Sequence, residues 1–574
     1  MLRRQEVAKK VEADTVAEAY LELLAARGIE YFFGNGGTDF APIVEAYAKR
    51  FTQEQMLPKP IPVPHEVTAV AMAHGYTMVT GKPQVVMVHT LPGTANATGG
   101  IINAARSNTP MLFTAGRTPL TEGDASGSRD GNIHWAQESF DQGSMVREWV
   151  KWDYELRPGA DLEGVVDRAL AISQSEPAGP VYLTLPREVL GEAIEDFTYS
   201  DKPRMAPAKD RMPSSDLIDE AAKVLTTAKT PILITRASGR DPEAIQPLVD
   251  LAEALGMPVY EAGVAYVNFP QNNPLHAGGD VASAVPEADV IVILEVDVPW
   301  TPKRTSPKDD ATIIAIGEDP LFSQYPVRGY RADLTLAGAP KHTLKALAEA
   351  VKKIGMNPET IAERTTKYGE VREKRLAAID ARADAGVGQT PINKAYFSRE
   401  LAKYLGDDTI LLSELGVDMT QVAFTAPGTT YGIPPAGSLG WALGASLGAK
   451  LAAPDKTVIC TLGDGSYIFG SGTASHIVSE AQNLPVLFIV WNNGIWNAVK
   501  SSARNMNPEG YAAKTDTWPI TTLSQSFNYE MICQASGGYG ERVEDPAAVP
   551  AAIERALHAV QVEKRQALLN IIGA

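Results

Sequence analysis

The chain has 574 residues, 44% hydrophobic and 21% charged, with a formal net charge of −17. That length exceeds one ordinary core and predicts three or four domains, and the acidic balance excludes the basic surface that nucleic-acid binding needs. Two cysteines, Cys460 and Cys533, make no disulfide framework, no run reaches the ~18 apolar residues of a membrane span, and the basic first 15 residues lack the apolar stretch of a secretory signal, so a cytoplasmic protein is expected.

Residues 13–28 have helical apolar spacing with Gly28 as the stop. A strand over 29–33 enters the turn Gly34-Asn35-Gly36-Gly37-Thr38-Asp39, which opens a helix over 40–50. Read alone, this turn is a weak phosphate loop or a threonine cap. Glu66 opens a helix over 67–80, where an acid is by itself only favourable to the helix dipole. The strand 84–88 ends at His89, the edge where α/β sheets place working residues. A helix to residue 105, a strand over 111–115 and the apolar run 178–186 fill out a first domain, taken as 1–195.

Residues 201–215 are proline-rich and polar, a boundary. Strands at 231–234, 257–260, 289–296 and 312–316, alternating with helices at 217–227 and 242–255, predict a second parallel sheet in a domain over 215–350. The turn 235–240 lacks the paired glycines of a dinucleotide site, so FAD or ADP in this central domain is not supported. The stretch 357–390, charged and then glycine-rich, reads as a linker.

The last domain, 391–574, holds the most informative stretch. After a helix over 391–405, a strand over 409–413 and a glycine-rich segment 437–442 opening another helix, a strand over 457–462 stops at Gly463-Asp464-Gly465. A helical segment runs to about 482, and a second strand, 486–491, ends at Asn492-Asn493. Asp464 and Asn493 then lie just past the carboxyl ends of two strands of one sheet. A carboxylate, an amide oxygen and a loop carbonyl are hard donors suited to Mg²⁺, with phosphate and water completing the shell. The glycines would let backbone N–H groups approach a diphosphate. Alone, GDG is simply a tight turn.

The pair is more specific. GDG, 26 residues and Asn-Asn, flanked by strands, resembles the diphosphate–metal motif of thiamine-diphosphate enzymes of the acetolactate synthase, pyruvate oxidase and benzoylformate decarboxylase family. The resemblance covers essentially the whole chain and implies an α/β protein of three doubly wound parallel-sheet domains: pyrimidine-binding, middle and diphosphate-binding. It implies thiamine diphosphate and Mg²⁺ as cofactors, with Asp464, the side chain of Asn493 and the carbonyl of Ile495 as metal ligands. Gly463, Gly465 and Ser466 would contact the cofactor, and Leu439 would hold its two rings in a V. HEVTAVAMAHGY matches the segment whose glutamate, here Glu66, hydrogen-bonds N1′ of the aminopyrimidine and favours its imino tautomer; a carboxyl buried among apolar neighbours suits that proton exchange.

By the same resemblance, His89 in HTLPGTAN matches a catalytic histidine of benzoylformate decarboxylase, Thr38 an active-site serine, and Gln137 a glutamine near the substrate side in acetolactate synthases. One departure is Asn273, which stands where the decarboxylases carry a second catalytic histidine; its amide cannot titrate. The first and last domains share one strand–helix plan, and in the family the cofactor lies between subunits. A homodimer is therefore the minimum assembly and a homotetramer is expected, with a small carbonyl compound as substrate and neither nucleic acid nor membrane as partner. His89 and Thr38 lean towards 2-oxo acid decarboxylation of the benzoylformate decarboxylase type, and Asn273 and Gln137 towards an acetolactate synthase-type carboligase. A 2-hydroxyacyl-CoA lyase stays open. A non-catalytic paralogue would be expected to lose Glu66 or the metal ligands, and all are present.

Overall fold

The computed structural model describes residues 8–53, 57–195 and 197–574; the first seven residues of the basic start discussed above lie outside them. Among the described residues there are three six-stranded sheets, every strand pair in them parallel, and one short antiparallel ribbon, Ala8–Lys10 with Thr198–Ser200. The three doubly wound α/β units expected from the sequence are thus present. Their strands are near-continuous apolar runs such as Val290–Leu294 and Val486–Asn492, as sheets covered by helices on both faces require.

The first sheet contains β1 (Tyr31–Asn35), β2 (Lys59–Pro62), β3 (Val85–Val88), β4 (Met111–Arg117), β5 (Asp153–Glu155) and β6 (Pro180–Pro186). The middle sheet contains β7 (Pro231–Thr235), β8 (Val259–Glu261), β9 (His276–Gly278), β10 (Val290–Leu294), β11 (Thr312–Gly317) and β12 (Leu334–Ala337). The third contains β13 (Thr409–Glu414), β14 (Thr430–Gly432), β15 (Thr457–Gly463), β16 (Val486–Asn492), β17 (Tyr539–Val543) and β18 (Ala567–Ile572). The first sheet runs β2-β1-β3-β4-β6-β5 and the third β14-β13-β15-β16-β18-β17, the same permutation. The middle sheet runs β9-β8-β7-β10-β11-β12, with its switch point between β7 and β10.

Two helices join the outer domains. Glu66–Thr80 follows β2, Trp441–Ala452 follows β14, and they pack directly on each other within one hydrophobic cluster that spans both domains. The crossing is close because the contact residues are small. A Cβ on Gly75 would lie 2.0 Å from Ala445 O, one on Gly448 1.9 Å from Met72 O, and one on Gly444 2.7 Å from Ala71 Cβ.

Two local readings are corrected. The stretch read as a linker is a helix, Pro358–Ala385, started by Pro358 behind an Asn357 cap and rich in good helix formers. Its arginines tie it to the middle domain, Arg364 to Leu255 O and Ala228 O and Arg372 to Gln271 O, while Arg382 reaches Asp418 in the third. The helical segment after GDG is two helices, Asp464–Phe469 and Gly472–Ala481, broken where Ser471 takes φ 56°. The run 178–186 forms β6, which lies inside the sheet beside the edge strand β5, a strand too short and polar to announce itself in the sequence.

Candidate functional site

Asp464 and Asn493 follow the ends of β15 and β16, which are neighbours with Gly463 opposite Trp491. Asp464 is 3% exposed; its Oδ1 accepts the N–H of Gly465 at 2.9 Å and its Oδ2 that of Gly494 at 2.8 Å, so one carboxylate ties the two loops together. Burial pushes this carboxyl above its ordinary value, against those N–H groups and the nearby Lys394. Asn493 Oδ1 accepts from Ile495 N at 3.1 Å, and the loop is pinned by Trp496 N to Thr521 O and Leu523 N to Gly494 O. A carboxylate and an amide oxygen on two neighbouring loops, with a loop carbonyl two residues on, are the donor types that a hard divalent cation sharing its shell with phosphate and water would take. A Cβ on Gly463 would meet nothing within 4 Å, so that side faces open space, whereas one on Gly465 would lie 2.3 Å from the Trp496 ring. Gly465 is therefore required by packing against an indole, a reason its sequence context did not suggest.

Leu439 is half-buried in a loop held at both sides. Ser438 exchanges hydrogen bonds with Asn103 of the first domain, its O accepting at 2.8 Å and its N donating at 3.1 Å. On the other side Glu414, fully buried, accepts from Gly440 N at 2.6 Å and Ala442 N at 2.8 Å, capping the Trp441 helix. Burial raises its carboxyl to about 7.

In the first domain, Glu66 is the first residue of its helix, 9% exposed, with Asn96 Nδ2 at 3.4 Å from Oε2; His65 caps the helix through Val67 N. His89 stands past β3 as predicted. Its Nδ1 lies 2.6 Å from Asp39 Oδ1 and its Nε2 3.5 Å from Gln137 Nε2. The Asp39 hydrogen bond raises the imidazole above its ordinary value, against the lowering effect of burial. Exposed Thr38 begins the turn Thr38–Phe40 and lines the same small cavity as His89 and Gln137, with Arg117, Thr118 and Arg187. Glu66, His89, Thr38 and Gln137 thus belong to one domain and the Asp464 group to another. Sequence reasoning missed Asp39; a carboxylate inside the glycine-rich turn was the available signal.

Asn273 forms a turn, its Oδ1 accepting from Leu275 N and its Nδ2 donating to Glu253. His276 nearby is buried against Glu261 and Arg375. At the switch point of the middle sheet, a cavity of about 640 Å³ is lined by Glu176, Glu295, Glu318 and Asp241 around Arg240, which is itself paired with Glu176. Glu318 is pushed up to about 7, first by burial and then by its acidic neighbours. No helix among the described residues is long and apolar enough to cross a membrane.

Comparison with known proteins agrees with this architecture. The profile "Thiamine pyrophosphate enzyme, N-terminal TPP binding domain" matches residues 14–145, the central domain of that family 218–347, and its C-terminal TPP binding domain 415–571. Relatives include a sulfoacetaldehyde acetyltransferase of Castellaniella defragrans, 24% identical over 99% of this chain and 94% of that one. A benzoylformate decarboxylase of Pseudomonas aeruginosa is 27% identical over 85% of this chain and 87% of its own. The fold is shared with the thiamine diphosphate-dependent 4-hydroxybenzoylformate decarboxylase of Rhodococcus jostii RHA1, at a TM-score of 0.77 and 22% identity, covering 97% of this chain and 99% of that one. With all three of its domains matched in order, the chain belongs to the thiamine pyrophosphate enzyme family.

Proposed function

We propose that this enzyme decarboxylates a 2-oxo acid in the manner of the benzoylformate decarboxylases. The observation that carries the reading is His89, fixed at Nδ1 by Asp39 with Nε2 turned to a cavity shared with Thr38 and Gln137, in the domain that holds Glu66. Bound thiamine diphosphate supplies an electron sink for the pair released when the bond beside the carbonyl breaks. Glu66 would hold and exchange a proton at the aminopyrimidine, and His89 would orient the substrate carboxylate or move a proton at its Nε2. Asp464, Asn493 and the Ile495 carbonyl would hold Mg²⁺, with Gly463, Gly465 and Ser466 beside the diphosphate and Leu439 beneath the rings.

A second reading, carboligation, is favoured by Asn273, whose amide is committed to a turn and to Glu253. We take the domains as 1–195, 215–350 and 391–574, and the cytoplasm as the compartment. A dimer completing the site between subunits is supported by apolar side chains left exposed near the Asp464 loop, among them Phe469 at 56%, Met506 at 78% and Ile520 at 94%.

Product analysis by NMR tests the reading. Protein with Mg²⁺ and thiamine diphosphate is incubated with pyruvate and with benzoylformate, each with and without an added aldehyde. Free aldehyde is the expected product; a coupled hydroxyketone makes the enzyme a carboligase, and a Glu66→Ala variant of unchanged activity sinks the assignment of Glu66.

A further inference from the structure

The turn after β1 contains more than Thr38. Asp39 is 2% exposed, and both its oxygens face the end of β3: Oδ1 to His89 Nδ1 at 2.6 Å, Oδ2 accepting Thr90 N at 3.4 Å. Thr90 holds φ 41°, a left-handed conformation unfavourable for a β-branched residue and kept where the surroundings impose it. Two glycines make the room. A Cβ on Gly37 would lie 2.1 Å from His89 Nδ1, and one on Gly116, in β4, 1.7 Å from Asp39 Oδ2. Ring and carboxylate are therefore seated in a space that any other residue at either position would fill.

The titratable and charged groups around His89 are Asp39, Glu66, Arg117, His134 and Arg187. Arg117 is engaged by Glu155, Glu138 and Ser139 O, and Arg187 by the carbonyls of Gly127 and Ser128. His134 Nδ1 accepts from Asp130 N, and Glu66 has Asn96. Asp39 is the anion in hydrogen-bonding contact with the imidazole.

We infer that Asp39 is the positioning residue for His89: it takes the Nδ1–H, fixes the plane of the ring, and commits Nε2 to the cavity shared with Thr38 and Gln137. The inference rests on the proposed role of His89 towards substrate. The carboxylate also favours the imidazolium, the form whose Nε2 carries a proton that can be donated to a substrate oxygen.

The test uses the full-length protein labelled at its eight histidines and titrated by NMR without cofactor, with His89→Gln assigning the signal. In the wild type the expected result is a His89 midpoint above the ordinary value, with a persistent Nδ1 proton. In Asp39→Asn the midpoint should fall by roughly 1–3 pH units, the effect of removing one adjacent charge. The alkaline limb of kcat against pH should move down with it, kcat falling and KM changing little. A wild-type His89 that titrates at the ordinary value in mixed tautomers overturns the inference even if Asp39→Asn does not fold. A folded Asp39→Asn with an unshifted midpoint, or with a shifted midpoint and wild-type kcat and pH profile, also overturns it. His89→Gln at full activity would instead remove the underlying reading of His89, a distinguishable result.

Discussion

Replacing Gly448 by alanine tests the crossing on which the site is mounted. The new Cβ would lie 1.9 Å from Met72 O, 2.8 Å from Met72 C and 2.9 Å from Tyr76 N, all backbone atoms of the Glu66 helix. Ordinary contact begins at 3.4 Å, so the helices must part by about 1.5 Å, the difference between 3.4 and 1.9 Å. Overpacking costs about 1–3 kcal/mol, and because a backbone oxygen cannot rotate away as a side chain can, the upper part of that range, about 2–3 kcal/mol, applies here. Alanine's better helix propensity returns up to about 1 kcal/mol, leaving a loss of roughly 1–2 kcal/mol. At about 2–4 °C per kcal/mol for domains of this size, the melting midpoint should fall by roughly 2–8 °C. Because Glu66 and the Leu439 loop are mounted on these two helices, such a shift displaces each from the surface it presents to the proposed partner subunit, and turnover should fall by about 10²-fold, the effect of a 1 Å misplacement. The measurement is thermal unfolding by circular dichroism beside kcat at saturating cofactor. Gly99→Ala is the control: its Cβ meets only the Ser438 hydroxyl, at 2.5 Å, which can turn aside. If Gly448→Ala melts within 1 °C of wild type and turns over normally, the close crossing is refuted.

Gly463→Ala probes the open side of the motif. Its backbone, φ −78° and ψ 160°, suits any residue and its Cβ meets nothing, so the melting midpoint should hold while thiamine diphosphate binding, read by calorimetry, weakens about tenfold or more; unchanged affinity would remove this glycine from the cofactor's neighbourhood. Asp464→Ala leaves the N–H groups of Gly465 and Gly494 without their acceptor, a loss of about 1–3 kcal/mol, and should abolish Mg²⁺-dependent cofactor binding, which equilibrium dialysis would detect if it survived. His74 and His476 are buried and their imidazoles are lowered to about 3 and about 4, chiefly by desolvation. Their folded values lie below the unfolded ~6.5, so the stability they contribute is complete above that pH and is lost as pH falls, at roughly 1.4 kcal/mol per unit per histidine. Denaturant midpoints measured between pH 7 and 5 should therefore decline, and a flat profile would contradict the burial.

What could be read in advance followed local chemistry. The strands ending at Gly463 and Asn492 were visible as apolar β-branched runs stopped by turn residues, which is why Asp464 and Asn493 were found on one sheet edge. Glu66 and His89 were singled out by the strings HEVTAVAMAHGY and HTLPGTAN, which resemble the family's; their places at a helix start and a strand end alone would not have marked them. Asp39 was not, because nothing in the turn's composition says that its carboxylate crosses 50 residues of sequence to meet an imidazole. The Pro358–Ala385 helix was missed for a related reason. Only Ala383 on it is buried, so it lacks an apolar stripe, and its place depends on arginines reaching carbonyls of other elements. Short strands such as His276–Gly278 exist only because a neighbour offers a ladder.

The joined helices have a symmetry. Gly75 meets Ala445 and Gly448 meets Met72, and both pairs are mates under one displacement, since 448 minus 75 and 445 minus 72 each give 373. Ala71 and Gly444 are related by the same 373 and touch each other, so they sit on the axis. Within one polypeptide this is the self-complementary geometry of a two-fold contact. By count the same displacement pairs Glu66 with Leu439, but the two entrances differ: Glu66 is the first residue of its helix, whereas Leu439 stands two residues before the Trp441 helix, behind Gly440 at φ 81°. Matching ends of the joined helices thus present a carboxyl on one side and an apolar side chain in a loop on the other.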